Sequence, residues 1–169
     1  MTPNHFTFQP ATIANAATLA ALHTSVANRL TEQHGQGPWS LKISEKTMLN
    51  AMRVSEVFIA KLDYELVGTL RLTTKKPWAI DTSHFSAASN PLYLLAMAIA
   101  PAHQRHGLGK QCIEEAKRIA RAWPADAIRL DAYDAQAGAG DFYTRCGFTE
   151  RGRNTYRGAP LIYYEFILK

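Results

Sequence analysis

The run Leu92-Tyr-Leu-Leu-Ala-Met-Ala-Ile99 contains no charged residue and no turn former. It is far too short to cross a bilayer. A strand with one wet face alternates apolar and polar residues, whereas a central strand buried on both faces reads as a continuous apolar run. The next segments constrain the fold further. Beyond a short polar stretch lies Gly109–Trp123, where Cys112, Ala116, Ile119, Ala120 and Trp123 recur at helical spacing. Glu114 precedes Arg118 by one helical turn, and Pro124 ends the helix. Ile128-Arg-Leu-Asp131 then reads as the next strand. Strand, helix and strand in this order form a parallel βαβ unit with a right-handed crossover.

The flanking segments complete the architecture. Phe6-Thr-Phe-Gln-Pro10 reads as a first strand, and Ile13–Leu30 as a helix with Ile13, Ala17, Ala20, Ala21 and Val26 near one face. His34-Gly-Gln-Gly-Pro38 breaks that helix, and Ser44 is placed to cap a second one reaching Arg53. Val57–Ala60 and Val67–Leu72 flank Asp63-Tyr-Glu65 as a hairpin. Lys75–Asn90 is irregular. Ala137–Arg145 reads as a short helix, weakened by Gly138 and Gly140 and ended by Gly147. Phe148–Glu150 and Leu161–Leu168 are the last strands, with Gly152 and Gly158-Ala-Pro160 in the connection between them. The expected class is α/β (α+β): a mixed, mostly antiparallel twisted sheet with one central parallel βαβ unit and helices on both faces. Residues 1–169 are expected to form a single domain.

A chain of 169 residues with 47% hydrophobic content can bury a core without disulfide or metal staples. That content excludes a mostly disordered chain. Met1-Thr-Pro-Asn-His-Phe6 shows neither a basic nor an apolar signal region. Two cysteines, Cys112 and Cys146, make no scaffold, so a reducing cytoplasm is the expected location. The net charge of +5 fits an anionic ligand, either a phosphorylated cofactor or nucleic acid. No spacing of His, Cys or carboxylates suggests a metal site.

The segment Gln104-Arg-His-Gly107-Leu-Gly109-Lys110 separates the central strand from its helix. Its glycines let a ligand approach the backbone. The first N–H groups of the helix and the positive end of its dipole favour an anion. Arg105, His106 and Lys110 add donors beside them. A Walker A loop is excluded twice, by Gln104 where its first glycine belongs and by Gln111 after the lysine. The dinucleotide fingerprint fails at Cys112, and its tight turn off the strand is replaced here by Ala100–His106.

The apolar strand, Pro101, the run Gln104-Arg-His-Gly-Leu-Gly109 and the amphipathic helix together resemble the acetyl-CoA-binding core of the GCN5-related N-acetyltransferase (GNAT) superfamily. Phe142-Tyr143-Thr-Arg-Cys-Gly147-Phe148 resembles that family's late signature, and the order of elements agrees from Phe6 to Lys169. The resemblance implies acetyl-CoA as cosubstrate. Its pantetheine arm would pair with backbone around Met97, Ala98 and Ile99, in a slot opened where this strand splays from Ile128–Asp131. Its pyrophosphate would rest on N–H groups of Arg105, His106, Gly107, Leu108, Gly109 and Lys110. Gln136 stands where the family often carries an asparagine that contacts the cofactor. The acceptor amine would attack the thioester directly.

An attacking amine must first lose a proton, and a departing thiolate benefits from a donor. Tyr143 is the candidate donor, and Asp131, closing its strand, a candidate base or holder of a water chain. Asp81 and His84 are further candidates from the irregular segment. Glu32, His34 and Trp39 lie in the region that lines the family's acceptor cleft. Cys112 and Cys146 read as structural. The acceptor is expected to be a small molecule or peptide amine, with no membrane or nucleic-acid partner and homodimerisation left open. The alternatives are a non-catalytic acetyl-CoA sensor, which would tolerate loss of Tyr143, and a nucleic-acid-binding protein.

Overall fold

The structure, a computed structural model, describes residues 4–169. Its elements in chain order are β1 (Phe6–Pro10), α1 (Ala16–His34), α2 (Glu45–Val54), β2 (Glu56–Leu62), β3 (Glu65–Thr73), β4 (Pro91–Ile99), α3 (Leu108–Ala122), β5 (Ala127–Tyr133), α4 (Gly140–Arg145), β6 (Thr149–Tyr156) and β7 (Ala159–Ile167). The strands form one mixed sheet in the order β1-β2-β3-β4-β5-β7-β6. β4 and β5 are parallel, and the pairs β1–β2, β2–β3, β5–β7 and β6–β7 are antiparallel. This is the mixed sheet with one parallel βαβ unit expected from the sequence. The chain divides into two compact units: residues up to Leu72 with Leu95–Glu115, and Thr73–Leu94 with Ala116–Lys169.

In the first unit, Ala16 and Leu19 of α1 and Met48 of α2 pack with Val57 and Ile59 of β2. Ser44 caps α2 by accepting a hydrogen bond from the Thr47 N–H at 3.1 Å. α1 differs from expectation in length and face. It begins after a single 3₁₀ turn at Ile13–Asn15 and continues to His34, where Gly35 closes it at φ +78°. Ile13, Ala17 and Ala21 face solvent, while Ala16, Leu19, Ala20, Leu22 and Ala27 are buried. Alanines occur at several helical phases and bury little area, so the two leucines set which face turns inward.

In the second unit, β5 pairs with β7 from Ala127↔Ile167 to Tyr133↔Leu161. Ile80, Phe85, Tyr93, Leu161 and Tyr163 form its core cluster. The irregular segment before β4 is tied down at three places. The Tyr163 hydroxyl donates to the Ala79 carbonyl and accepts from the Asp81 N–H. Buried Glu165 accepts from the Ser86 N–H at 3.2 Å and from Arg129 Nε at 2.9 Å. Asp126 accepts from the N–H groups of Ser89 and Asn90.

Four local expectations are corrected. β6 runs on to Tyr156 and contains Gly152 at a bulge, so only Arg157-Gly158 connects it to β7. α4 starts at Gly140 because Gly138 is packed against backbone: a Cβ there would lie 1.9 Å from the Tyr133 carbonyl oxygen. Trp123 is 38% exposed and lies just past the end of α3, off its buried stripe. β4 is buried on both faces only over Leu92–Leu94, and Leu95–Met97 and Ile99 are half-buried.

Candidate functional site

The first unit carries the turn that the sequence singled out. Within β4, Ala96 adopts φ +48°. A side chain in this left-handed region costs about 1–2 kcal/mol, and inside a strand such a residue marks a bulge that bends it. Nothing in the apolar pattern announced it beyond a small residue between Leu95 and Met97. Ala96→Gly is expected to raise stability by about 0.5 kcal/mol, strain relief exceeding the entropic cost of glycine, and Ala96→Val to lower it by at least about 1 kcal/mol. Urea-unfolding midpoints of the two variants check this, and a destabilised Ala96→Gly would contradict it.

Past Ile99, Pro101–His103 makes one 3₁₀ turn. The Gln104 side-chain amide donates to the Ile99 carbonyl at 3.0 Å, and His103 Nε2 lies 3.1 Å from Glu65 Oε1. Arg105 (φ +64°) and Gly107 (φ +81°) are both left-handed. Left-handed residues in a turn of this kind are the backbone element from which anion-binding nests are built. A Cβ at Gly107 would meet no atom within 4 Å, so the space before the backbone is open. The Gln111 N–H bonds to the Gly107 carbonyl at 3.1 Å, so the helical ladder starts there. The N–H groups of Leu108, Gly109 and Lys110 therefore lie in the first turn, where no intrahelical partner exists. Arg105, His106 and Lys110 are exposed, whereas the Leu108 side chain is buried and anchors the helix. The residues expected from the sequence are thus brought together here, with Leu108 able to contribute its backbone alone. The turn can hold a doubly charged group such as a pyrophosphate.

The second unit carries the titratable pair. Tyr143 of α4 is buried among the rings of Phe142, Phe148 and Tyr164, at centroid distances of 5.2, 5.7 and 6.1 Å. Burial first, and then the neighbouring Asp131 and Cys146, push its phenol well above the ordinary range. Every side-chain nitrogen or oxygen shut off from solvent among the described residues has a hydrogen-bond partner. No protein group bonds the Tyr143 hydroxyl among those residues, so that oxygen opens on accessible space. Asp131, in β5 opposite Tyr163, has its carboxyl pushed up by burial. Tyr133 is raised by burial and by Asp131. Gln136 is exposed in the bend after β5. Gly140 lies against this cluster, since a Cβ there would fall 2.4 Å from the Tyr164 hydroxyl. The sequence signalled Gly140 as a helix weakener and gave no sign of that contact.

The remaining candidates have structural partners. Asp81 is exposed, and the Ser83 N–H donating to its carboxylate holds it below the usual range, which makes it a weak base. His84 packs edge-on against Tyr163, 5.3 Å between centroids, and fills the space beside Gly152. Glu32 pairs with Arg29 across one turn of α1 at 3.8 Å. Trp39 Nε1 donates to the Gly35 carbonyl at 2.9 Å, with His34 edge-on to its ring. Burial pushes the Cys112 thiol up to about 12, so it is inert at neutral pH. Cys146 is buried, and its carbonyl accepts from Lys117 Nζ at 2.7 Å. Among the described residues no His, Cys and carboxylate cluster is suited to a metal ion, and no helix is long and apolar enough to cross a membrane.

A family model described as the acetyltransferase (GNAT) family matches residues 23–148. Solved structures share the fold across nearly the whole chain. A GCN5-related N-acetyltransferase from Rhodopseudomonas palustris aligns with TM-score 0.74 at 20% identity, covering 99% of each chain. The PaiA N-acetyltransferase of Thermoplasma acidophilum, in complex with coenzyme A, gives 0.73 at 17% identity, covering 96% of this chain and 99% of its own. The yncA structure from Salmonella typhimurium, with its cofactor acetyl-CoA, gives 0.72 at 15% identity, covering 98% and 95%. At these identities the likeness is one of fold. No curated protein matches the sequence.

Proposed function

Because the chain belongs to the acetyltransferase (GNAT) family, we propose that it moves the acetyl group of acetyl-CoA to a primary amine by direct attack. The observation that carries this reading is the left-handed turn Arg105–Gly107 opening onto the first turn of α3. The open space before Gly107 and the exposed Arg105, His106 and Lys110 suit a pyrophosphate. The Met97, Ala98 and Ile99 backbone is the proposed partner of the pantetheine amides, supported by the half-buried state of Met97 and Ile99 at the end of β4. Gln136, exposed after β5, is the proposed further contact.

Acetyl-CoA, when bound, supplies an acetyl group activated as a thioester whose leaving group is a thiolate. Asp131, with its raised carboxyl, is proposed to take a proton from the acceptor ammonium. Tyr143 is proposed as a fixed hydrogen-bond donor. Its phenol is pushed above its ordinary value, far above an ordinary thiol, so the proton stays on Oη. It stabilises developing negative charge at sulfur without surrendering the proton.

Calorimetric titration with acetyl-CoA, with ATP and NAD as controls, tests the cofactor. Selective acetyl-CoA binding is expected, and thiol release with amine acceptors then tests transfer. Binding without any thiol release would instead favour a sensor. Gly107→Trp is expected to abolish binding by filling the open space, at a folding cost of about 1–2 kcal/mol for the left-handed side chain. Unchanged affinity in this variant, shown folded by its melting curve, would remove the turn from the cofactor site.

A further inference from the structure

We propose that the acceptor amine carries a carboxylate, held by Arg71 of β3 with His23 of α1 beside it. This rests on the acetyltransferase reading and names its substrate class. Arg71 is half-buried, and no hydrogen bond or ion pair engages its guanidinium among the described residues. A half-buried cation loses part of its hydration, and here no carboxylate offsets the desolvation that lowers its pKa. A ligand carboxylate is the group that a guanidinium fork takes in bidentate fashion.

The surroundings place this charge at the bulged strand. Arg71 lies opposite Val57 of β2, and cross-strand partners share a face. Val57 belongs to the cluster with Ala16, Leu19 and Met48, so Arg71 emerges on the side that α1 and α2 cover. On its other edge, the Ala100 N–H donates to the Val67 carbonyl at 2.8 Å, and a Cβ at Gly68 would lie 3.3 Å from the Ala98 carbonyl. These contacts and the sheet order set β3, and Arg71 with it, directly beside β4. Arg71 therefore flanks the strand proposed to carry the cofactor.

His23 completes the arrangement. Burial, and then the charge of Arg71, lower its pKa to about 4. A neutral imidazole offers a hydrogen bond beside a permanent cation without adding a second charge to desolvate. His23 too has no hydrogen-bond partner among the described residues, and since no buried side-chain nitrogen there is left unpaired, its polar end opens on accessible space.

The test uses acetyl-CoA and acceptor pairs that differ only in the anion, free L-amino acids against their carboxamides, with thiol release as the readout. The carboxylates are expected to be favoured about 10- to 100-fold in kcat/KM, mostly through KM. In Arg71→Met this preference should collapse toward one, and Arg71→Lys should recover part of it. In parallel, calorimetry on the CoA-saturated protein compares N-acetyl amino acids with their amides. Tighter binding of the carboxylates in wild type, lost in Arg71→Met, is expected. Equal use and equal binding of the two series, or an equal loss of both in Arg71→Met, would overturn the proposal. Acetyl-CoA affinity separates the two readings: its absence in wild type defeats the acetyltransferase reading, whereas its presence without anion dependence defeats this one.

Discussion

Tyr143→Phe is expected to lower kcat about 100-fold while acetyl-CoA affinity and melting temperature stay near wild type. The ring keeps its contacts with Phe142, Phe148 and Tyr164, and the hydroxyl has no protein partner to lose among the described residues. Stability is therefore insensitive to the change, and catalysis is the property that registers it. An unchanged kcat with any acceptor that wild type acetylates would reduce Tyr143 to a core residue. The pH profile belongs to the same experiment. Asp131 must be ionised to accept a proton, and burial raises its pKa. Activity should therefore fall, as pH drops, at a higher pH than an ordinary carboxylate would impose, and Asp131→Asn should remove that limb along with most of the rate. The stability effect has the opposite sense. A carboxyl raised in the folded state favours folding while protonated, and that contribution disappears as pH rises through the folded value. Asp131→Asn should thus melt higher than wild type at neutral pH, a loss of rate joined to a gain in stability.

Glu165→Leu is expected to cost about 3–5 kcal/mol, a large part of the total stability of a domain this size. The Glu165 carboxylate is buried between Arg129 Nε at 2.9 Å and Arg151 Nε at 3.6 Å and also holds the Ser86 N–H. Removing it strands Arg129, which is 5% exposed and packs over Phe85. It also releases the segment that Ser86 ties to β7. Arg129→Met/Glu165→Leu should recover most of the loss, because no buried charge is then left uncompensated. Unfolding free energies from urea titration decide the matter. A loss of less than about 1 kcal/mol for the single variant would mean that solvent reaches the guanidinium.

These two sites differ in how far the sequence disclosed them. Phe142-Tyr143 with Gly147-Phe148 marked the tyrosine through its resemblance to the family's late signature, but the setting of its hydroxyl arises from how Phe148, Tyr164 and Asp131 gather around it. Glu165 and Arg129 sit singly inside apolar strand patterns, 36 residues apart in the chain. Each looked like an ordinary strand residue, and pairing across β5 and β7 made them partners. Arg71 and His23 likewise carried no motif.

What the sequence determined by itself is the set of elements and the glycine turn before α3 that is proposed to bind the cofactor. Strand and helix periods, the glycines at 107 and 109 and the helix start, read at Gly109 and found at Leu108, depend on a few residues, where backbone sterics and local hydrogen bonding decide the outcome. Only the tertiary structure decided the face of α1, the left-handed bulge at Ala96, the rigid packing of Gly138 and Gly140, and which charges are compensated. The reason is that desolvation depends on everything packed around a group. A guanidinium such as Arg71 or Arg129 becomes a cost or an anchor only when distant segments have closed over it and either supplied a carboxylate or left the place for one.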